Sequence, residues 1–288
     1  MASEPDLSRA AILAVHPELA DAAFRPLPGG WHSRAVAVDD RLVFKFPQGE
    51  EAEQALRREA SILAAVRPHL SMRVPDLRLH DGTPLFSEHA IIPGEHLETA
   101  QYQALPEPAR QALGAAMARF HAELHALDRT AMARAGARPV ERWLGADDIA
   151  AKALPLLPEE LHAFARKTIA DWRALPPDPH GETYGFFDGH GWNMAFDHAA
   201  GRLNGVYDFA DSGFGPLHQD FIYSNFIDPD LTARIVDSYE QLTGRPLDRA
   251  RIHLLTGVHR LWELAALADT PEHHATMIAS VAAWAGRQ

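Results

Sequence analysis

The hydrophobic pattern of this chain changes period once, near Gly94, and that change constrains its fold more than any other feature. Before Gly94 the apolar residues fall in short β-rich runs. Ala35–Val38 and Leu42–Phe46 are separated by Asp39-Asp40, a hairpin signal, and the turn-forming stretch Leu27-Pro28-Gly29-Gly30-Trp31-His32-Ser33 precedes them. From Glu51 to Val66 the pattern is helical, with Leu56, Ala60, Leu63 and Val66 on one side, the one helix expected in this half. Extended segments follow at Leu77–Leu79 and Leu85–Ser87, then at Glu88–Ile92, which Pro93-Gly94 terminates. Beyond Gly94, residues 106–127 carry the helical stripe Leu113, Met117, Phe120, Leu124 and Leu127. Residues 138–174 read as helices broken by Pro155 and Pro158, and the chain is helical almost throughout after Asp220. The pattern predicts an α+β chain of two lobes. A small β-rich lobe spans residues 1–93, a larger helical lobe spans 94–288, and they join near 88–94.

The absence of cysteine excludes disulfides, zinc ribbons and thiol catalysis. The N-terminus lacks a basic stretch followed by an apolar run, and no segment approaches the roughly 20 apolar residues needed to span a bilayer. A cytoplasmic protein without membrane contact is the expectation. A net charge of −12 argues against nucleic acid, whose phosphates are bound by Lys and Arg clusters; its first reading is solubility, and it would also suit a cationic small molecule. Of 27 basic residues only Lys45, Lys152 and Lys167 are lysine. A chain that uses arginine nearly everywhere yet keeps Lys45 inside an apolar strand has a use for an ammonium there. Glu59 falls between Leu63 and Val66 on the apolar arc of its helix. A lone carboxylate there would cost on the order of several kcal/mol in desolvation, and pairing with Lys45 removes that cost.

Phe187-Asp188-Gly189-His190-Gly191-Trp192-Asn193 and Gly205-Val206-Tyr207-Asp208-Phe209 carry the chemistry. They present an Asp, an Asn five residues later, and a second Asp twenty residues after the first behind an apolar run. Only three asparagines exist in the chain, and one holds that position. Phosphoryl transfer needs this set of groups, because the reacting phosphate is highly anionic and Mg²⁺ must bridge its oxygens through hard oxygen ligands. Asp208 and Asn193 are suitable ligands, and Asp188 can orient an acceptor hydroxyl and take its proton.

These segments resemble the catalytic loop and metal-binding segment of the aminoglycoside phosphotransferase family, which has the protein-kinase-like fold. The resemblance runs through nearly the whole chain in order. It implies that Asp188 is the catalytic base and that Asn193 and Asp208 hold Mg²⁺. It further implies that Lys45, paired with Glu59, contacts the α- and β-phosphates of ATP or GTP. Gly29 and Gly30 would cover the phosphates with backbone N–H groups, Ser33 and Arg34 would touch them, and the run Glu88–Ile92, through Ile91, would pair with the base edge. Asp220 corresponds to a structural anchor, Asp211 to a supporting acidic group and His190 to a loop histidine that orients backbone. The implied activity is a small-molecule kinase moving the γ-phosphoryl group onto a hydroxyl, with an aminoglycoside-like, choline-like or other amino-alcohol or sugar acceptor. Asp228, Asp230 and Glu263 are candidates to receive a cationic acceptor.

The chain departs from the family pattern at Phe186-Phe187, which replace the usual His-Gly before the catalytic aspartate and motivate an alternative reading as a regulatory, nucleotide-binding pseudokinase. Retention of Asp188, Asn193 and Asp208 argues against that alternative. A protein kinase is disfavoured, since no Ala-Pro-Glu segment follows Asp208. Among the 17 histidines, His121 and His125 have i, i+4 spacing compatible with zinc but flank the apolar stripe with no third ligand in sequence, so the expectation is a helix-edge pair.

Overall fold

The computed structural model describes residues 4–27 and 33–287. Gly29 and Gly30 lie outside the described residues. Among those described, a five-stranded antiparallel sheet has the order β1 (Phe24–Pro26), β2 (Ser33–Val38), β3 (Leu42–Pro47), β5 (Phe86–Ala90), β4 (Arg78–His80). The hairpin expected around Asp39-Asp40 joins β2 to β3, with Val38 opposite Leu42. Both aspartates adopt left-handed φ values, 53° and 50°, which Asp tolerates better than most residues. Leu85–Ser87 and Glu88–Ile92, read separately from the sequence, form one strand that ends at Ala90.

Alternation along β3 sorts its side chains. Phe44 and Phe46 are buried with Ile12, Leu19, Val38 and Phe86, on the face covered by α1 (Glu4–Val15). Lys45 points to the opposite face, toward α2 (Glu50–Val66). Helix α1 corrects the expectation of a single helix in this half. Its burial stripe is too thin to read from the sequence, because Ile12 is fully buried whereas Leu7 and Val15 are exposed.

The remainder is mostly helical. Helices α3 (Thr99–Ala104), α4 (Glu107–His125) and α5 (Arg129–Arg134) are followed by α6 (Ala146–Ala153) and α7 (Glu159–Ala174). After the strands described below come α8 (Pro229–Thr243), α9 (Arg249–Ala266) and α10 (Pro271–Ala285). The main core joins α4 and α8 to the loop that carries Asp188 and to Ile62, Leu63 and Val66 of α2, so the helix bearing Glu59 belongs to both halves. Among the described residues no helix is long and apolar enough to cross a membrane.

Two small antiparallel pairs hold the chemistry-bearing segment. β6 (Glu182–Gly185) leads into the loop that carries Asp188, the hairpin β7 (Met194–Asp197) and β8 (Arg202–Val206) follows, and β9 (Gly213–Pro216) returns to pair with β6. That return brings the residues after β8 back beside the loop before β7. The junction between the halves is stitched to the same hairpin, as Glu95 and Phe196 exchange backbone hydrogen bonds of 2.9 and 2.8 Å. Gly94 makes the crossing possible: its φ is +143°, and a Cβ there would sit 2.4 Å from the Ala195 carbonyl carbon.

Candidate active site

Lys45, Asp188, Asn193 and Asp208 come from β3, the loop after β6, the short helical turn just before β7 and the segment after β8. Lys45 Nζ lies 3.4 Å from Glu59 Oε2 and 3.9 Å from Asp208 Oδ1. Burial strips water from the ammonium, but the two carboxylates outweigh that loss and hold the Lys45 pKa above its ordinary value. Burial pushes the Glu59 carboxyl upward, against the opposing pull of Lys45. Glu59 also accepts a hydrogen bond from the Phe209 N–H at 3.4 Å, which ties α2 to the residue following Asp208.

Both oxygens of Asp188 are engaged. Asn193 Nδ2 donates to Asp188 Oδ2 at 2.6 Å, and His190 Nε2 stands 2.9 Å from Oδ1. His190, expected to orient backbone, instead sets its ring against the Asp188 carboxylate. Burial opposes the charged imidazole, while Asp188 favours it and leaves the His190 pKa raised. Asn193 spends its NH₂ on Asp188, which leaves its carbonyl oxygen as a hard donor. Asp208 has a half-exposed side chain and left-handed φ, 66°, a conformation costing on the order of 1–3 kcal/mol outside glycine.

Asp220 sits beneath the loop in a short helical turn. It is fully buried and accepts hydrogen bonds from the backbone N–H groups of Phe186 and Phe187. His121 Nδ1 and His125 Nε2 reach its Oδ2 at 3.1 and 2.9 Å. These two histidines are therefore not a helix-edge pair; both are buried, and their third partner is Asp220, 99 and 95 residues away. The Phe186 ring packs against Phe120 and Phe209, with centroids 5.5 and 4.9 Å away, while α4 delivers the imidazoles that partner the anchor aspartate.

A cleft of about 1040 Å³ opens over Asp188, Asn193 and Asp208, bounded by Trp192, Tyr223 and Trp262. Six carboxylates and three guanidinium groups line it, so its charge is predominantly negative. Asp211 is exposed at the rim, yet surrounding protein withholds solvent from its carboxyl. With the charges of Asp188, Asp208 and Glu141 added, its pKa is pushed up to about 6. Of the three acidic residues considered for a cationic acceptor, Glu263 lines the cleft. Asp228 instead caps α8, and Asp230 is bound by Tyr102 and Arg234.

Of the remaining sequence-nominated groups, Ser33 lies on the sheet and Ile91 just beyond the end of β5. Ser33 opens β2 opposite Pro47. The Ile91 N–H donates to Arg41 O at 2.8 Å, so any contact from Ile91 to a base must use its carbonyl or side chain.

The model of the phosphotransferase enzyme family matches residues 23–255. No curated protein matches the sequence significantly. Among solved structures, the chain is similar to the GDP complex of aminoglycoside 2'-phosphotransferase-IIIa, with 16% identity, TM-score 0.84 and 99% of each chain covered. It is similar to the streptomycin–ATP ternary complex of APH(2")-IIa, with 18% identity, TM-score 0.65, and 93% of this chain and 95% of that one covered. A macrolide 2'-phosphotransferase from Brachybacterium faecium has 17% identity and TM-score 0.69, with 94% of this chain and 97% of that one covered. The architecture is the bilobal protein-kinase-like fold, with a small β-rich lobe and a larger helical one.

Proposed function

The chain belongs to the phosphotransferase enzyme family, and on that premise we propose that it is a small-molecule kinase transferring the γ-phosphoryl group of ATP or GTP to a hydroxyl of a cationic acceptor. The observation that carries this reading is the Lys45–Asp208 approach of 3.9 Å, which joins the Lys45–Glu59 pair to the cleft of Asp188 and Asn193. Residues 1–93 serve as the nucleotide lobe and residues 94–288 supply the catalytic loop and acceptor site.

In this mechanism Lys45 binds the α- and β-phosphates, held extended by Glu59. The Asp208 carboxylate and Asn193 carbonyl are hard oxygen donors that fit Mg²⁺, and they would hold it. Bound there, Mg²⁺ would supply positive charge against the phosphate oxygens. Asp188 orients the acceptor hydroxyl and takes its proton, fixed by Asn193 on one oxygen and His190 on the other. The excess of carboxylates around the cleft favours an amino-sugar or amino-alcohol acceptor.

A coupled ADP- or GDP-release screen with amino sugars, choline-like alcohols and amino-alcohols tests the reading, with Asp208→Ala as blank. Acceptor-dependent release absent from the blank supports it. Nucleotide binding with no turnover on any acceptor sinks it in favour of the pseudokinase. Trp192 is 61% exposed within the catalytic loop, beside the His96 ring. A cationic acceptor passing its ring face gains about 1 kcal/mol. Trp192→Ala should therefore raise acceptor KM by roughly five- to tenfold, with nucleotide KM unchanged and stability altered by less than about 0.5 kcal/mol. Equal effects on both KM values would remove Trp192 from the acceptor site.

A further inference from the structure

The sheet carries a second polar cluster, on the face turned away from Lys45. Glu88 pairs with Phe44 across β3 and β5, so it shares the α1 face of the sheet, whereas Ser87 lies opposite Lys45. His80 comes from β4, and His16 immediately follows α1. His16 Nε2 is in contact with Glu88 Oε2, and His80 Nε2 lies 3.1 Å from the same oxygen. The three donor atoms fall within 4.8 Å of one another. Their side chains are 18%, 10% and 11% exposed.

Hydrogen-bond chemistry leaves this arrangement unresolved. His16 Nδ1 stands 2.9 Å from Glu18 Oε1, and a carboxylate only accepts, so Nδ1 carries a proton. In the neutral ring Nε2 is then a lone pair, and it faces another acceptor on Glu88. A second proton on His16 would cure that clash but do nothing for His80. The His80 Nε2 is buried, aimed into the cluster and without a hydrogen-bond partner among the described residues. The other oxygen of Glu88 is occupied separately, by Arg78 at 3.4 Å. One divalent cation accepting electrons from both imidazoles and the carboxylate satisfies all three groups together.

We propose that His16 Nε2, His80 Nε2 and Glu88 Oε2 bind a zinc-class divalent cation, with Glu18 holding the His16 ring from behind. Two imidazoles and one carboxylate are a zinc-type set and a poor one for Mg²⁺, which takes oxygen ligands. A carboxylate on the distal nitrogen of a ligating histidine fixes its tautomer and raises its basicity. The rings are already held in place: His80 stacks on Phe86 at 4.5 Å, and His16 meets the edge of Phe44 at 5.9 Å. Bound metal would staple the end of α1 to β5 and the edge strand β4. The His121–His125–Asp220 group differs, because Asp220 is already saturated by four donors and both histidines are bonded to it.

The test uses the full chain, stripped by chelator and free of nucleotide and Mg²⁺, titrated with Zn²⁺ against a chromophoric competitor. One Zn²⁺ per chain is expected, with affinity reduced at least about 100-fold in His80→Phe and about tenfold in Glu18→Gln. Phenylalanine preserves the stack on Phe86, so the variant should fold. Zn²⁺ should raise the melting temperature of the native chain and leave that of His80→Phe unmoved. Phosphotransfer with Mg²⁺ and ATP should be equal in both, so failure of this site is distinguishable from failure of the kinase reading. Zinc bound equally by His80→Phe and lost in Asp208→Ala would overturn the proposal, as would the absence of stoichiometric binding.

Discussion

Asp188→Asn should lower kcat by about 10²–10⁴ while nucleotide KM stays within about threefold. The substitution keeps the shape of the side chain and one oxygen able to accept from Asn193, so the loop retains its 2.6 Å tie. What it loses is the proton-accepting oxygen now beside His190. The loss belongs to the transition state, where the acceptor hydroxyl gives up its proton, and falls on kcat more than on binding. Steady-state kinetics with saturating acceptor would read it. A variant retaining more than a tenth of native kcat would exclude Asp188 as the base and point to a hydroxyl that loses its proton after transfer.

The groups on the cleft side of the sheet were legible because they violate local patterns. Lys45 interrupts an apolar strand and Glu59 interrupts an apolar helical arc, so each was conspicuous, and one contact at 3.4 Å accounts for both. The spacing of Asp188, Asn193 and Asp208 was legible because a hairpin between two of them fixes their approach. The hidden features have partners remote in sequence. His121 and His125 look like edge residues of α4 until Asp220 arrives from beyond β9, and nothing near Glu88 announces His16, 72 residues away. Asp228 and Asp230 misled for the converse reason: acidic residues at a helix start serve that helix first, here by capping α8 and pairing with Arg234. Helix α1 escaped notice because one buried isoleucine does not make a period.

Asp220→Ala should cost about 3–5 kcal/mol, a large part of the 5–15 kcal/mol that holds a typical domain together. The carboxylate is the shared acceptor for two imidazoles and two backbone N–H groups in a dry interior, and its removal orphans all four donors at once. Phe187 depends on it directly, since its left-handed φ of 55° is unfavourable for a bulky residue and its N–H is held by Asp220 Oδ1. Acid should expose the same dependence. Burial alone would raise the Asp220 carboxyl, but His121 and His125 overcome it and hold the pKa far below the usual carboxylate range. Burial lowers the His125 pKa, opposed by Asp220. Tyr239 OH lies 2.9 Å from Nδ1, matching a neutral ring whose Nε2–H faces Asp220. Both folded-state pKa values are depressed, so in each case the unfolded chain binds more protons and stability is lost as the pH is lowered. The histidine contribution is present above about pH 6.5 and begins to be lost below it; the aspartate contribution follows below about pH 4. Urea unfolding at pH 7.5, 5.5 and 4 should give falling midpoints in the native chain and a shallower fall in Asp220→Ala, with the slope m unchanged. Equal acid sensitivity in the two chains would mean that other groups carry the pH dependence. A folded variant with native kcat would show that the loop holding Asp188 does not depend on this anchor.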